Sequence, residues 1–186
     1  MTKVETNINN SFYPLPAILV TAGKKGNWNV MTAAWASKIC MEPPTLCVAV
    51  RKERLTHPLI VEHGTFALNI PTADLVEAVD ICGVVSGREM DKFERCGLTP
   101  IEGPKTGTAI IEECPVVFEC EVTNTVNIGS HDLFIGKVVS RLVDPEYMGE
   151  HGKMDYDILK PLIYLSPHYT TFEEIIATHG FSKKLL

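Results

Sequence analysis

The sequence has no apolar segment long enough to cross a bilayer and only a small share of positive charge. A membrane-spanning helix needs about 20 apolar residues, whereas the longest apolar runs, such as residues 16–22, have the length of a strand. The 186 residues include 17 Lys and Arg against 23 Asp and Glu, which gives a formal net charge of −6. The sequence therefore predicts neither a membrane protein nor a surface that follows a nucleic-acid backbone.

Motifs for several common sites are also missing. The six cysteines form no C-x-x-C pair and mostly lie in apolar stretches, so we expect reduced core thiols. The six histidines show no metal-ligand spacing, and we predict no catalytic metal. No G-x-G-x-x-G follows a predicted strand, which argues against a Rossmann cofactor domain. Residues 1–11 are polar and lack the apolar region of a signal peptide, which predicts a cytoplasmic location.

Short strands separated by turns predict one mainly β domain, with short helices, over residues 1–186. Helices are predicted to start at Thr56 and Thr72, to follow a capping box at Ser86, and to form a turn or two over residues 171–178. The region 115–143 is predicted to be a long hairpin with His131 at its tip and Glu119 on the outer face of its first strand. The predicted strands are 17–22, 29–37, 45–50, 66–70, 116–126, 133–143 and 162–165.

The segment 29–38 has an unusual composition for a strand that enters a core. It contains three alanines and alternates small with polar side chains. Small side chains allow another body to approach the backbone closely, and two interpretations of that body stay open. It is either a neighbouring subunit or helix, or a flat heteroaromatic ligand contacted by Asn29 and Thr32, with Trp35 as an aromatic wall.

A basic loop follows the next predicted strand. Residues 51–56 contain three bases and one acid in an otherwise acidic chain, and they directly precede the helix start at Thr56. Free N–H groups and the helix dipole favour an anion at such a position, so a phosphate would fit here. The alternative is a solvated turn between a strand and a helix.

Together, the segments 29–35, 43–44, 51–56, 66–71, 86–93, 113–115 and 129–138 occur in an order that resembles the flavin reductase and flavoredoxin family of FMN-binding split-barrel proteins. The resemblance implies a six-stranded antiparallel split barrel that forms a homodimer, with one FMN at each end of the subunit interface. It also implies that the phosphate lies near Arg51, Arg54 and Thr56, and that Arg88 or Lys92 comes from the partner chain. The implied cofactor-binding residues are Asn29, Met31, Thr32, Ala33, Ala34, Trp35, Ser37, Arg51, Arg54, Thr56, Asn69, Ser86, Gly87, Arg88 and Lys92.

The function implied by the resemblance is an FMN-binding oxidoreductase. It would take a hydride from NAD(P)H and pass electrons to a redox protein or a small-molecule acceptor, because the cofactor performs the chemistry and the protein orients it. His131 would lie near the nicotinamide, although a hairpin-tip histidine can also be simply solvated. Two alternatives stay open: a flavoredoxin-like electron carrier that does not oxidise NAD(P)H, and a flavin-binding or purely structural dimer without turnover.

Overall fold

A computed structural model describes residues 2–8, 12–180 and 182 as a mainly β protein with short helices. The strands are β1 Leu15–Pro16, β2 Ile18–Ala22, β3 Asn29–Ala33, β4 Ala36–Cys40, β5 Thr45–Arg51, β6 Thr65–Ile70, β7 Pro100–Glu102, β8 Ala109–Ile111, β9 Val116–Asn127, β10 His131–Val143, β11 Ile163–Leu165 and β12 His168–Thr170. The α-helices are α1 Thr56–His63, α2 Val76–Val84, α3 Lys92–Cys96 and α4 Tyr156–Leu159, and 3-10 turns occur at Ala73–Leu75, Pro145–Tyr147 and Glu150–Gly152.

The main sheet is antiparallel and has seven strands in the order β3-β2-β6-β9-β10-β5-β4. Its two edge strands, β3 and β4, are separated in sequence by only Ala34 and Trp35. One short segment therefore forms both edges, which brings them together and rolls the sheet into a split barrel. The predicted fold class is confirmed, and the predicted six strands become seven because the extended segment 29–37 bends between β3 and β4.

A second, three-stranded sheet attaches the C-terminal region to the barrel. Strand β11 pairs with β1 on one side and with β12 on the other. The Ala17 N–H donates to the Leu162 carbonyl at 3.2 Å, immediately after β1. This pairing carries Tyr164 and Ser166 to the end of the barrel where the site described below is located.

The core consists of two layers of buried apolar side chains. Inside the barrel, Phe66 and Phe134 are at most 1% exposed and pack with valines of β2 and β5. Phe66 lies against Gly136 so closely that a Cβ at Gly136 would come within 2.7 Å of its ring. Outside the barrel, α2 and α3 cover β2 and β3 through residues such as Val79 and Phe93. Burial of each large side chain stabilises the fold by about 1.5–3 kcal/mol.

The predicted helix starts differ from the observed ones in their capping residues. Thr56 is the first residue of α1 and its hydroxyl forms no cap, because it accepts a hydrogen bond from Asn29 Nδ2 instead. Asp91 caps α3 and accepts from the amides of Phe93 and Glu94, so Ser86 is not the cap. The prediction of a helical turn over residues 171–178 was wrong, since that segment has no helix.

The position of Glu119 also contradicts the alternation predicted for β9. Its side chain is completely buried rather than outward-facing. The loop 103–107 covers this face of the strand, and Glu119 Oε1 accepts from the amides of Lys105 and Thr106 at 3.1 and 2.9 Å and from Thr106 Oγ1 at 2.9 Å. The carboxylate thus replaces the solvent as the partner of the loop amides.

Candidate functional site

A cavity of about 270 Å³ lies at the end of the barrel where β3, β5 and the tip of the β9–β10 hairpin meet. Eight of the residues predicted from the sequence line it, from three separate segments of the chain. Those residues are Met31, Thr32, Ala33, Ala34, Trp35, Arg51, Arg54 and His131. The structure thus places the small-residue strand and the basic loop at one site.

Small side chains form one wall of this cavity. Ala33 and Ala34 lie where β3 ends, and Ala49 lies opposite them on β5. The Ala49 N–H donates to the Trp35 carbonyl at 2.9 Å, which fixes the bend between β3 and β4 against β5. Thr32 also lines the cavity, but its hydroxyl donates to the Val79 carbonyl of α2. A larger side chain at Ala33 or Ala34 would occupy part of the cavity.

Two guanidinium groups give the cavity a cationic end. Arg51 is the last residue of β5, and the Arg54 N–H donates to the Arg51 carbonyl at 3.1 Å, so one tight turn holds both. Neither guanidinium forms a hydrogen bond or an ion pair with any residue in the described part of the chain. Both are therefore available to an anion, which arginine can bind in a bidentate manner.

An aromatic pair forms another wall. The rings of Trp35 and His131 have centroids 4.6 Å apart at an interplanar angle of 45°, and half of the Trp35 surface is exposed. Ser130 Oγ lies 2.8 Å from His131 Nδ1, and Arg51 is the cross-strand partner of His131. Burial, and then the positive charge of Arg51, lower the pKa of His131, so a neutral imidazole faces the cavity at pH 7.

A polar network that the sequence analysis missed holds the hairpin tip in place. His57 Nε2 lies 2.8 Å from Asp132 Oδ2, and Asn127 Nδ2 donates to Asp132 Oδ1 at 3.1 Å. The hydrogen bond with His57 and the charge of Lys52 keep the pKa of Asp132 below its ordinary value. Because His57 belongs to α1 and Asp132 to β10, this contact fixes the position of the neighbouring His131. No spacing rule links residues that are 75 positions apart.

Several predicted residues lie behind the cavity and support the basic loop. Asn29 is buried, and its Nδ2 donates to Thr56 Oγ1 at 2.7 Å. A Cβ at Gly87 would collide with Asn29 Oδ1, so only glycine permits this approach. Arg88 Nη1 donates to the Glu53 carbonyl at 2.7 Å, within the same chain. The loop 86–88, in which Ser86 Oγ accepts from the Arg88 amide, therefore packs against the loop 51–55.

Three further predicted residues also lie outside the cavity lining. Asn69 is fully buried in the core, where it bonds to Leu19, Thr21 and Ile111. Lys92 is only 4% exposed, and its ammonium donates to the carbonyls of Cys82 and Val85 at 3.1 and 3.3 Å. Burial, only partly opposed by the nearby Cys82 thiol, lowers the pKa of Lys92. Ser37 is exposed on β4 and donates to the Lys38 carbonyl.

The cavity also contains residues that the sequence did not indicate. Tyr13 and the C-terminal residues Tyr164 and Ser166 line it because β11 pairs with β1. A second cavity, of about 390 Å³, adjoins the first, with which it shares Thr32, Ala34 and Tyr164. Its far side includes Asp80, which accepts from the Tyr169 hydroxyl at 3.1 Å. Burial and this carboxylate raise the pKa of Tyr169 to about 12. For this region the sequence predicted a short strand at 162–165 and no site residue.

The described part of the chain contains no group of three or more His, Cys, Asp or Glu side chains that could hold a metal ion. Within the same residues, no helix combines the length and the apolar character needed to span a membrane.

The fold and the cavity together define a split-barrel protein with a cationic, aromatic-walled cavity at the end of its barrel. The family model described as "Flavin reductase like domain" matches residues 10–173, so the chain belongs to the flavin reductase-like family. The resemblance of the sequence motifs to this family is confirmed.

The chain is similar over all or nearly all of its length to two solved structures. It is 30% identical to a flavoredoxin from Methanosarcina acetivorans, with a TM-score of 0.92 and 100% of each chain covered. It is 29% identical to a flavoredoxin of Desulfovibrio vulgaris (Miyazaki F), with a TM-score of 0.88 over 97% of this chain and 100% of that one. A ferric-chelate reductase (NAD(P)H) of Archaeoglobus fulgidus is 26% identical, over 76% of this chain and 83% of that protein.

Proposed function

We propose that the chain is an FMN-binding oxidoreductase that takes a hydride from NAD(P)H and passes the electrons to an acceptor. The observation that carries this proposal is the cavity in which an alanine wall, an exposed aromatic pair and two arginines meet, with no ion-pair partner for either arginine in the described part of the chain. An anion at one end and a flat ring at the other are the two parts of FMN. Similarity to flavoredoxins and to an NAD(P)H-dependent reductase supports the same assignment.

The residues present fit such a ligand. Arg51 and Arg54 have no carboxylate partner among the described residues 2–8, 12–180 and 182, so a phosphate would supply a counter-charge for both guanidinium groups. Ala34 and Ala49 leave room for a planar group near the backbone. Asn29 and Thr56, through their side chains, and Gly87, through the close approach that its missing side chain permits, would act indirectly by supporting the loop that carries the arginines.

The reaction would need few contributions from the protein side chains. Bound FMN supplies the hydride and electron-transfer chemistry, and the protein orients it and sets its electronic environment. Trp35 and His131 would limit access of water and orient a nicotinamide at the open side of the cavity. We assign neither a nucleophile nor a general base, because hydride transfer between two cofactor rings requires none.

A flavoredoxin-like electron carrier is the second candidate function. It is favoured by the coverage of 100% of both chains in the comparison with the Methanosarcina flavoredoxin. In that case the same cavity holds FMN, and reduction comes from a redox protein rather than from NAD(P)H. A half-exposed Trp35 beside the cavity would suit contact with a protein donor as well as a nicotinamide.

We further propose that two copies of the chain form the working unit. Strand β4 is an edge of the main sheet, and Ile39 and Met41 on or next to it are 49% and 77% exposed. Exposed apolar side chains along an unpaired strand edge favour association with another surface. Light scattering that gives the mass of one 20.6 kDa chain at micromolar concentration would contradict this proposal.

The cytoplasmic location stays a prediction.

An anaerobic spectral titration tests the proposed function. The protein as purified, and after addition of FMN, should show a protein-perturbed flavin spectrum, and NADH or NADPH should bleach it. A flavin spectrum that neither nucleotide changes, but that a chemical reductant bleaches, would replace the reductase with the carrier. If added FMN keeps the spectrum of free FMN, the cofactor assignment is wrong.

A further inference from the structure

Two thiols outside the cavity lie close enough to react with each other. Cys82 is in α2 and Cys96 is the last residue of α3, and their Sγ atoms are 4.0 Å apart. We propose that Cys82 and Cys96 form a reversible disulfide by thiol–disulfide exchange with a low-molecular-weight disulfide. The sulfurs must approach to about 2 Å to bond. Cys96 is followed by Gly97 at φ +63°, so it lies at a helix end rather than inside a helix.

The surroundings of the two thiols determine which one reacts first. Cys82 is only 1% exposed, whereas Cys96 is half-buried and lines a surface cavity of about 220 Å³. Arg95, Asp74 and Glu77 also line this cavity, so groups of both charges surround the entrance to Cys96. Because Cys96 lines this cavity and Cys82 is almost completely buried, a low-molecular-weight disulfide would reach Cys96 before Cys82.

The exchange is balanced in two steps. The Cys96 thiolate attacks one sulfur of the small disulfide RSSR, which forms a mixed disulfide and releases the first RS⁻. The Cys82 thiolate then attacks Cys96 Sγ, which closes the protein disulfide and releases the second RS⁻. The two protons from the protein thiols end on the two released RSH molecules. The dithiol is oxidised by two electrons, and RSSR is reduced by the same two.

The electrostatics around Cys82 explain why it would act second. Burial and the neighbouring Cys96 raise the pKa of the Cys82 thiol to about 12, and the Lys92 ammonium opposes this rise. A thiol of this kind reacts slowly with dissolved disulfides. It can still resolve a mixed disulfide only 4.0 Å away, because the reaction is then intramolecular.

The remaining cysteines provide the controls. Cys47, Cys114 and Cys120 are buried, and in the described part of the chain the Cys82–Cys96 pair is the one sulfur–sulfur contact of hydrogen-bond geometry. Cys40 is exposed and would compete for the reagent. We therefore use Cys40→Ser as the reference, in which five of the six thiols remain. The Cys82→Ala and Cys96→Ala changes are added to this background.

The experiment treats the folded protein with oxidised glutathione, blocks free thiols with iodoacetamide, and measures intact mass and peptide maps. In the reference, two thiols should be lost, with a mass decrease of about 2 Da before blocking for the two hydrogens removed. The linked peptides should contain Cys82 and Cys96, and dithiothreitol added before the blocking step should restore all five thiols. This readout is independent of flavin, so its failure leaves the proposed function intact.

The two variants test the order of the steps. Cys82→Ala should stop at one glutathione bound to Cys96, and Cys96→Ala should keep all four of its thiols. Five free thiols in the reference after treatment, stable glutathione on both residues, or a disulfide between any other pair would overturn the proposal. Because the reference leaves both residues of the pair unchanged, this result does not depend on whether the two alanine variants fold.

Discussion

Replacing Asn69 with alanine distinguishes a core residue from a cofactor-binding one. In the structure, Asn69 Nδ2 donates to the Leu19 carbonyl at 3.0 Å and to Thr21 Oγ1 at 3.2 Å, and its Oδ1 accepts from the Ile111 N–H at 2.9 Å. The side chain thus links β2, β6 and β8 in a region without solvent access. The change to alanine removes all three bonds and leaves the Ile111 N–H buried without a partner.

The expected cost of this change follows from those contacts. Each lost neutral hydrogen bond from Nδ2 contributes about 1 kcal/mol, and an unsatisfied buried N–H costs about 2 kcal/mol, so we expect Asn69→Ala to destabilise the fold by about 4 kcal/mol. The matched control is Asn124→Ala on the exposed part of β9, which should change stability by less than about 0.5 kcal/mol.

Urea unfolding followed by tryptophan fluorescence measures the free energy of unfolding of both variants, and flavin titration of the folded protein measures affinity. Asn69→Ala should lower the unfolding free energy while the FMN affinity of the folded fraction stays within about twofold of the original. An unchanged unfolding free energy combined with a large loss of FMN affinity would refute the structural role and restore Asn69 to the cofactor site.

Four further predictions concern the cavity. Arg51→Ala and Arg54→Ala should each weaken FMN binding about tenfold or more but leave riboflavin binding nearly unchanged, because only FMN carries a phosphate. Equal losses of affinity for both ligands in parallel titrations would show that the phosphate does not bind at this loop. Ala34→Leu should reduce the flavin content, because the larger side chain would occupy part of the cavity. Flavin absorbance per protein chain measures this loss, and an unchanged melting temperature would show that the variant is folded. His131→Ala should slow flavin reduction by NAD(P)H in stopped flow and leave FMN bound; an unaltered rate would return the residue to a solvated turn. The lowered pKa of Asp132 means that its carboxylate stabilises the folded protein at pH values above the ordinary Asp pKa of about 4, and that this stabilisation is lost as the pH falls below that value. Between neutral and acidic pH, the melting temperature of Asp132→Asn should therefore fall less than that of the original protein.

Sequence patterns predicted the parts of the site that depend on local order. The hairpin of β2 and β3, the basic turn at Arg51 and Arg54, and the His131 hairpin each come from a short contiguous pattern. Their convergence on one cavity came from the family resemblance, because no periodicity specifies which turns meet in space. The small side chains at Ala33 and Ala34 indicated close approach of another body, and the structure places a cavity there.

Several positions that the sequence patterns did not anticipate share a physical cause, which is contact with segments distant in the chain. Glu119 looks solvent-facing by alternation, but the loop 103–107 covers it and supplies its hydrogen-bond donors. The family resemblance implies that Lys92 lies close to the cofactor, whereas in the structure two carbonyls at the end of α2 accept hydrogen bonds from its ammonium. Tyr164 reaches the cavity through a strand pairing that spans about 150 residues of chain. Such contacts depend on tertiary packing, which a one-dimensional pattern does not contain.

The bend at Ala34 and Trp35 gives the barrel a seam. Strands β3 and β4 are the two edges of one sheet and are not hydrogen-bonded neighbours in it. The chain joins these two edges directly only at the bend. A ligand that touches Ala33 on β3 and Arg51 on β5 would connect one edge of this seam with the strand that pairs with the other edge. Its loss would loosen both edges together, so the ligand would be a structural part of the barrel as well as its redox group.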